Sequence, residues 1–324
     1  SLNTFLNAMT YPDKTVYPVA SCNDVDFKNI MDVYMDAVFY PDIYNKPQIF
    51  KQEGWHYELE NEDDELKING VVYNEMKGAF SSPDEVLERE IMNHLFPDTT
   101  YGCESGGDPK NIPDLTYENF LNFHRTYYHP SNSYIYLYGN MDMEEKLAFL
   151  DEHYLSHFDY LDVDSVIQEQ KAFGACRDVT LEYPVAENEG EEDNTYLSYN
   201  MVVGNAADSQ MAMAFEVLDY ALLSAPGAPL KQALLDVKAG KDVYGSYDDG
   251  ILQPYFTVIA KGSNPDRKEE FVSVIRQVLG DIVKNGIDKK AVEAGINYFE
   301  FRYREADFSS YPKGLMYSLD ILGD

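Results

Sequence analysis

Glu75 lies at the centre of Gly70-Val-Val-Tyr-Asn-Glu-Met-Lys-Gly-Ala-Phe80, one turn into a stretch that reads as a helix after the apolar entry Val71-Val72-Tyr73. Met76 and Phe80 follow it at i+1 and i+5, so Glu75 is expected to border the apolar stripe and need not face open water. A carboxylate at the edge of a buried face needs a partner: a basic side chain, backbone N–H groups or a metal. A salt-bridged helix glutamate is the plain alternative to metal ligation. The histidines are His56, His94, His124, His129, His153 and His157. Of these, His153 and His157 stand at helical i, i+4 spacing beside Asp151 and Glu152, a pattern that could hold a metal. Phe149, Leu150, Tyr154 and Phe158 surround the pair, and a pair of ordinary helix histidines is the stronger reading.

Six blocks widen the view beyond Glu75. They are Ser1-Leu-Asn-Thr-Phe-Leu-Asn-Ala-Met-Thr-Tyr-Pro12, Gln52-Glu-Gly-Trp-His-Tyr-Glu58 and Asn74-Glu-Met-Lys-Gly78, then Phe96-Pro-Asp-Thr-Thr-Tyr-Gly102, Ser105-Gly-Gly-Asp-Pro109 and Tyr127-Tyr-His-Pro-Ser-Asn132. In this order and with similar gaps, they resemble the presequence-protease branch of the pitrilysin/insulinase zinc peptidases. The resemblance covers residues 1 to about 160.

That resemblance implies metal-assisted hydrolysis of peptide bonds, with Glu75 as the third zinc ligand. Glu53, in Gln-Glu-Gly-Trp, is then a candidate carboxylate that orients a ligand. Asn7 and Ala8 match a strand edge where extended substrate pairs through backbone hydrogen bonds. His129-Pro-Ser-Asn132 matches as well, but reads physically as a turn. Such enzymes carry H-x-x-E-H on a helix, with two zinc histidines and the general base. No histidine of this chain opens that motif, and the nearest miss, His153-Tyr-Leu-Ser-His157, has serine in place of the base. The resemblance therefore implies a chain that begins just after the catalytic helix, with no catalytic residue of its own. Zinc is expected in the full-length enzyme and none in this piece, which is expected to be inactive alone. The implied partners are unstructured peptides and the C-terminal half of the same polypeptide. The rival reading is a non-catalytic peptide-binding or scaffold subunit of the same superfamily.

Composition sets outer bounds. A length of 324 residues suffices for two domains, and 44% hydrophobic residues suffice for real cores. The net charge of −32 argues against nucleic-acid or anionic-membrane binding, which need Lys/Arg patches. Three widely spaced cysteines, Cys22, Cys103 and Cys176, predict free thiols in a reducing setting, taken here as cytoplasmic. No apolar run reaches the length of a membrane span.

The elements that must position these residues follow from pattern. Leu6–Ser21 reads as strand, turn and strand, with Tyr11-Pro-Asp-Lys14 as the turn. Asn23-Asp24 caps a helix running to Phe39. Ile49–Trp55 reads as a short helix, Tyr57–Leu59 as extended, and Glu60–Glu65 as an acidic loop. Ser82, with Pro83 and Glu85, starts a helix at about 84–95. Tyr101–Pro113 reads as a loop, and Thr116 opens a helix to about Tyr127. Ser133–Gly139 alternates like a strand, and Asp142 caps a helix to about Phe158.

Leu161–Ala175 has no clear periodicity and reads as a linker. A second unit from Val179 predicts strands at 179–185, 195–203, 243–248 and 252–261, with helices at about 208–223, 228–238, 266–284 and 288–304. Thr15–Glu58 and Phe256–Glu305 share an order of strand, turn, long helix, break and second helix, a weak internal repeat. The expected fold is α+β: two domains of one duplicated type, each an antiparallel-rich sheet packed by helices on one face, the first truncated at its N-terminus. The expected limits are 1–160 for the peptidase domain, 161–178 for the linker and 179–324 for a non-catalytic second domain.

Overall fold

The computed structural model describes residues 4–185, 190–306, 308 and 311–323. It has the mixed helix-and-sheet architecture expected, with small antiparallel sheets. The chain divides into two compact units. The first comprises Ser1–Arg89, Thr99–Gln168 and Phe308–Leu322, and the second Glu90–Asp98, Glu169–Asp307 and Gly323–Asp324.

In the first unit, four two-residue strands open the chain: β1 (Phe5–Leu6), β2 (Met9–Thr10), β3 (Thr15–Val16) and β4 (Val19–Ala20). β1 pairs antiparallel with β4, and β2 with β3. The Tyr11 N–H donates to Lys14 O at 2.8 Å, closing the turn at the expected residues. Helix α1 (Asp24–Phe39) starts where the Asn23 side chain accepts from the Asp26 N–H. It buries Ile30, Met31 and Phe39.

Next, α2 (Pro47–Ile49) runs into a π turn, Phe50–Gly54, rather than a plain helix. The hairpin β5 (His56–Glu58) and β6 (Lys67–Asn69) carries the acidic loop at its tip. Sequence reasoning missed β6, which is only three residues long and is defined by its partner. Helices α3 (Val71–Ala79) and α4 (Pro83–Leu95) follow, with the Arg89 guanidinium 3.6 Å above the Phe80 ring. Helix α5 (Tyr117–Tyr127) opens with a capping box between Thr116 and Asn119. Helix α6 (Met143–His153) is capped by Asp142.

Two expectations fail in the strands. Ser133–Gly139 forms no strand despite its alternation, because no described strand pairs with it, and Tyr134 stands 90% exposed. Residues 179–185 are likewise irregular. Tyr183 bonds Asn194 and meets Tyr196 edge-on, so the segment is held by side chains and not by a ladder.

The second unit holds a three-stranded antiparallel sheet in the order β7 (Thr195–Val202), β9 (Tyr255–Ser263), β8 (Asp242–Asp248). Helices α7 (Ser209–Asp219), α8 (Pro229–Asp236), α9 (Lys268–Asn285) and α10 (Lys289–Glu305) occupy the expected positions. One core joins the sheet to α7, α8 and α9. Leu197, Val243, Phe256, Val258 and Ala260 from the sheet meet Leu222, Leu223, Leu230, Leu234, Phe271 and Ile275 from the helical side. The period-2 pattern of the strands and the 3.6-residue pattern of the helices put these apolar residues on facing surfaces. Helix α11 (Lys313–Gly323) closes the chain.

Candidate functional site

The site is built around α3. Gly70 precedes it with φ +156, and a Cβ there would lie 2.2 Å from Gly54 O. Only glycine lets the start of α3 seat against the end of the π turn that carries Glu53. One turn along, a Cβ on Gly106 would lie 2.3 Å from Met76 Sδ, so the loop Ser105-Gly106-Gly107 rests on the side chain next to Glu75. A polar brace fixes the first turn. Asn69 Nδ2 donates to Glu58 Oε2 at 2.8 Å, while its Oδ1 accepts from the Gly70 N–H at 2.8 Å and from Asn74 Nδ2 at 2.6 Å. The sequence blocks around Glu53, Glu75 and Gly106 thus meet in space.

Glu75 itself is exposed, contrary to the expectation that it borders a covered stripe. Val71 and Val72 on the same helix are 51% and 38% exposed, so this short helix buries little of its apolar surface within the described residues. No ion pair or hydrogen bond engages the Glu75 carboxylate among the described residues. Among the described residues, therefore, the salt-bridged alternative is not adopted. Glu53 is exposed too, and its Oε1 accepts from Gln52 Nε2 at 3.1 Å.

Asn7 and Ala8 sit between β1 and β2, at the break in the opening hairpin. The Asn7 N–H donates to Pro18 O at 3.2 Å, and its Oδ1 accepts the Ala8 N–H at 2.9 Å. The strand is paired on one side only, so among the described residues its other edge has no ladder partner. Among the described residues no hydrogen bond joins this edge to Glu75.

The histidine pair does not survive. Helix α6 ends at His153, with Tyr154 at φ −132 and ψ −65, and His157 lies in a separate 3-10 turn, Leu155–His157. The two rings therefore do not share a helix face. His153 stacks on Phe149 at 4.5 Å instead.

Zinc needs several protein donors converging on one point. Among the described residues no three His, Cys, Asp or Glu side chains do so. Among the described residues a full zinc ligand set is not assembled, and the Glu75 carboxylate is uncommitted. Sequence reasoning missed Asn69 and the packing roles of Gly70 and Gly106. Their roles depend on contacts between distant segments, and the Gly-Gly of 106–107 was the only local signal.

Comparison with known proteins gives four findings. The family model for the peptidase M16 inactive domain matches residues 114–299. Protein HypA of Clostridium perfringens is 55% identical over 322 residues, covering 99% of this chain and 33% of that protein. Presequence protease 1, chloroplastic/mitochondrial, of Arabidopsis thaliana is 42% identical over 326 residues, covering 99% of this chain and 30% of that protein. The crystal structure of pitrilysin superposes with a TM-score of 0.63 at 16% identity, covering 99% of this chain and 33% of that one, a likeness of fold. The chain spans about a third of the length of these curated relatives. With the family model covering more than half of its residues, the chain belongs to the peptidase M16 family of pitrilysin-type peptidases, in the presequence protease branch.

Proposed function

We propose that this chain is part of a zinc metalloendopeptidase that degrades short unstructured peptides, with Glu75 as one metal ligand. The observation that carries the reading is the Glu75 carboxylate. It is exposed and, among the described residues, without a partner, on a helix clamped at Gly70 and Gly106. A carboxylate held on a rigid element and left without a partner is suited to an external cation. The remaining donors, two imidazoles, and the general base would come from an H-x-x-E-H helix elsewhere in the whole polypeptide. Glu53, on the turn that abuts Gly70, would orient that ligand shell. Asn7 and Ala8 would present the free strand edge to the substrate backbone. Main-chain pairing suits a peptidase of many sequences because it carries little side-chain information.

The two-domain division with limits at 160 and 179, and the non-catalytic role of the second domain, belong to the same proposal. The net charge of −32 supports a chain that binds neither nucleic acid nor an anionic membrane, and no described helix is long and apolar enough to cross a membrane. Three exposed free cysteines fit a reducing, cytoplasmic setting.

The test is hydrolysis of an unstructured peptide by the whole polypeptide and by this chain of 324 residues. Chelator-sensitive turnover is expected from the first only, and is expected to vanish with Glu75→Gln. Turnover by this chain alone, or a fully active Glu75→Gln enzyme, would refute the reading.

A further inference from the structure

The opening hairpin owes little of its place to a core. Its register runs without a slip, Phe5 opposite Ala20, Leu6 opposite Val19, Met9 opposite Val16 and Thr10 opposite Thr15, which puts Asn7 opposite Pro18. The ladder lapses there for a chemical reason. The Asn7 N–H donates to Pro18 O at 3.2 Å, but a proline has no N–H to return. Of residues 4–21 only Pro18 is buried. A two-stranded hairpin with so little covered surface is marginal by itself.

Side chains from three other places in the first unit fasten it instead. At the open end, Asp26 Oδ2 of α1 accepts from Thr4 Oγ1 at 2.5 Å and from Ser21 Oγ at 2.6 Å, so one carboxylate ties both ends of the hairpin. At the lapse in the ladder, the hydroxyls of Tyr17 and Tyr128 lie 2.7 Å apart, and Tyr128 closes α5. At the tip, Tyr101, 2% exposed, donates from its hydroxyl to Asp13 Oδ2 at 2.9 Å. None of these bonds uses the backbone of Phe5–Thr10. Within that strand the Asn7 N–H points inward to Pro18, and the alternation of an antiparallel ladder turns those of Leu6, Ala8 and Thr10 outward.

We propose that Asp26, Tyr101 and Tyr128 are positioning residues for the peptide substrate: they hold the hairpin at three levels, so that its outward backbone groups stand ready as a template for an extended peptide. The proposal rests on the edge-pairing reading of Asn7 and Ala8. A template in place only part of the time binds more weakly by that fraction. Loss of a fastener therefore costs affinity for the substrate and leaves the hydrolytic step alone, because a peptide that does pair lies in the same register.

The experiment measures hydrolysis of an unstructured peptide by the whole polypeptide and by its Tyr101→Phe, Tyr128→Phe and Asp26→Ala variants, each also combined with Ala8→Pro, with bound zinc measured alongside. Each single variant is expected to raise KM about tenfold, with kcat and zinc content near the parental values. Ala8→Pro removes an outward N–H and is expected to raise KM at least as far. Added to Ala8→Pro, the three substitutions are expected to cost little more, because they act through an edge already spoiled. Parental KM in the three variants, or losses that add in full to that of Ala8→Pro, overturns the positioning role while the edge reading stands. A joint fall of kcat and zinc content marks a merely structural role and overturns it as well. A parental KM for Ala8→Pro overturns the edge reading and the positioning role with it.

Discussion

Replacing Gly70 by alanine forces a methyl group to within 2.2 Å of Gly54 O and 2.7 Å of the Trp55 Cα. Both neighbours are backbone, so the start of α3 must move away from the π turn. Overpacking of this kind costs about 1–3 kcal/mol, and a glycine-only backbone conformation adds about 1–3 kcal/mol more. The expected loss is about 3 kcal/mol. Gly78, on the same helix, meets nothing within 4 Å, so alanine there is expected to stabilise by about 0.5–1 kcal/mol. Two glycine-to-alanine changes eight positions apart therefore carry opposite signs. Trp55 is the chain's one tryptophan, and its Nε1 donates to Leu115 O at 2.9 Å, so its fluorescence reports on this corner. Urea unfolding followed by that signal is expected to shift its midpoint down by about 1 M or more for Gly70→Ala and slightly up for Gly78→Ala. A Gly70→Ala chain as stable as its parent, or less harmed than Gly78→Ala, would refute the clamp on α3.

His124 donates from Nε2 to Val38 O at 2.9 Å and accepts the Tyr44 hydroxyl at Nδ1, 2.7 Å away, and burial holds its pKa below the ordinary histidine value. The unfolded chain then takes the proton first, so this contribution is complete above about pH 6.5 and is lost as pH falls below it; a proton titration by NMR placing His124 above 6.5 would contradict this. Glu216 is pushed up by burial and by the charge of Asp249, so here the folded state holds the proton longer and the cost is present at neutral pH. Glu216→Gln is expected to raise the melting temperature near pH 7 and to flatten its fall with rising pH, and a lower melting temperature at pH 7 would count against it. Leu234→Ala, at a fully buried core position, is expected to cost about 2–5 kcal/mol, read by thermal unfolding; a loss under about 1 kcal/mol would show a looser core.

What was legible in the sequence was local. Asn23, Thr116 and Asp142 announced their helices because a cap bonds its own chain two or three residues on. The order of elements from β7 to α10 followed from apolar periodicity, since the same residues build the core. The failures were non-local. Ser133–Gly139 alternates correctly but lacks a ladder partner, and β6 exists only because β5 lies beside it. His153 and His157 had the spacing of one helix face, yet the helix stopped between them at Tyr154. For the site, the blocks around Glu53, Glu75 and Gly106 could be identified one by one. That they touch rests on glycines whose need for close approach appears only when two distant backbones meet.

The central claim concerns Glu75, and metal analysis of the whole polypeptide tests it most directly. The expected result is stoichiometric zinc in the parent protein and a loss of zinc affinity of more than about tenfold in Glu75→Gln, with the Trp55 unfolding signal unchanged. Zinc retained at parental affinity by Glu75→Gln would contradict the assignment.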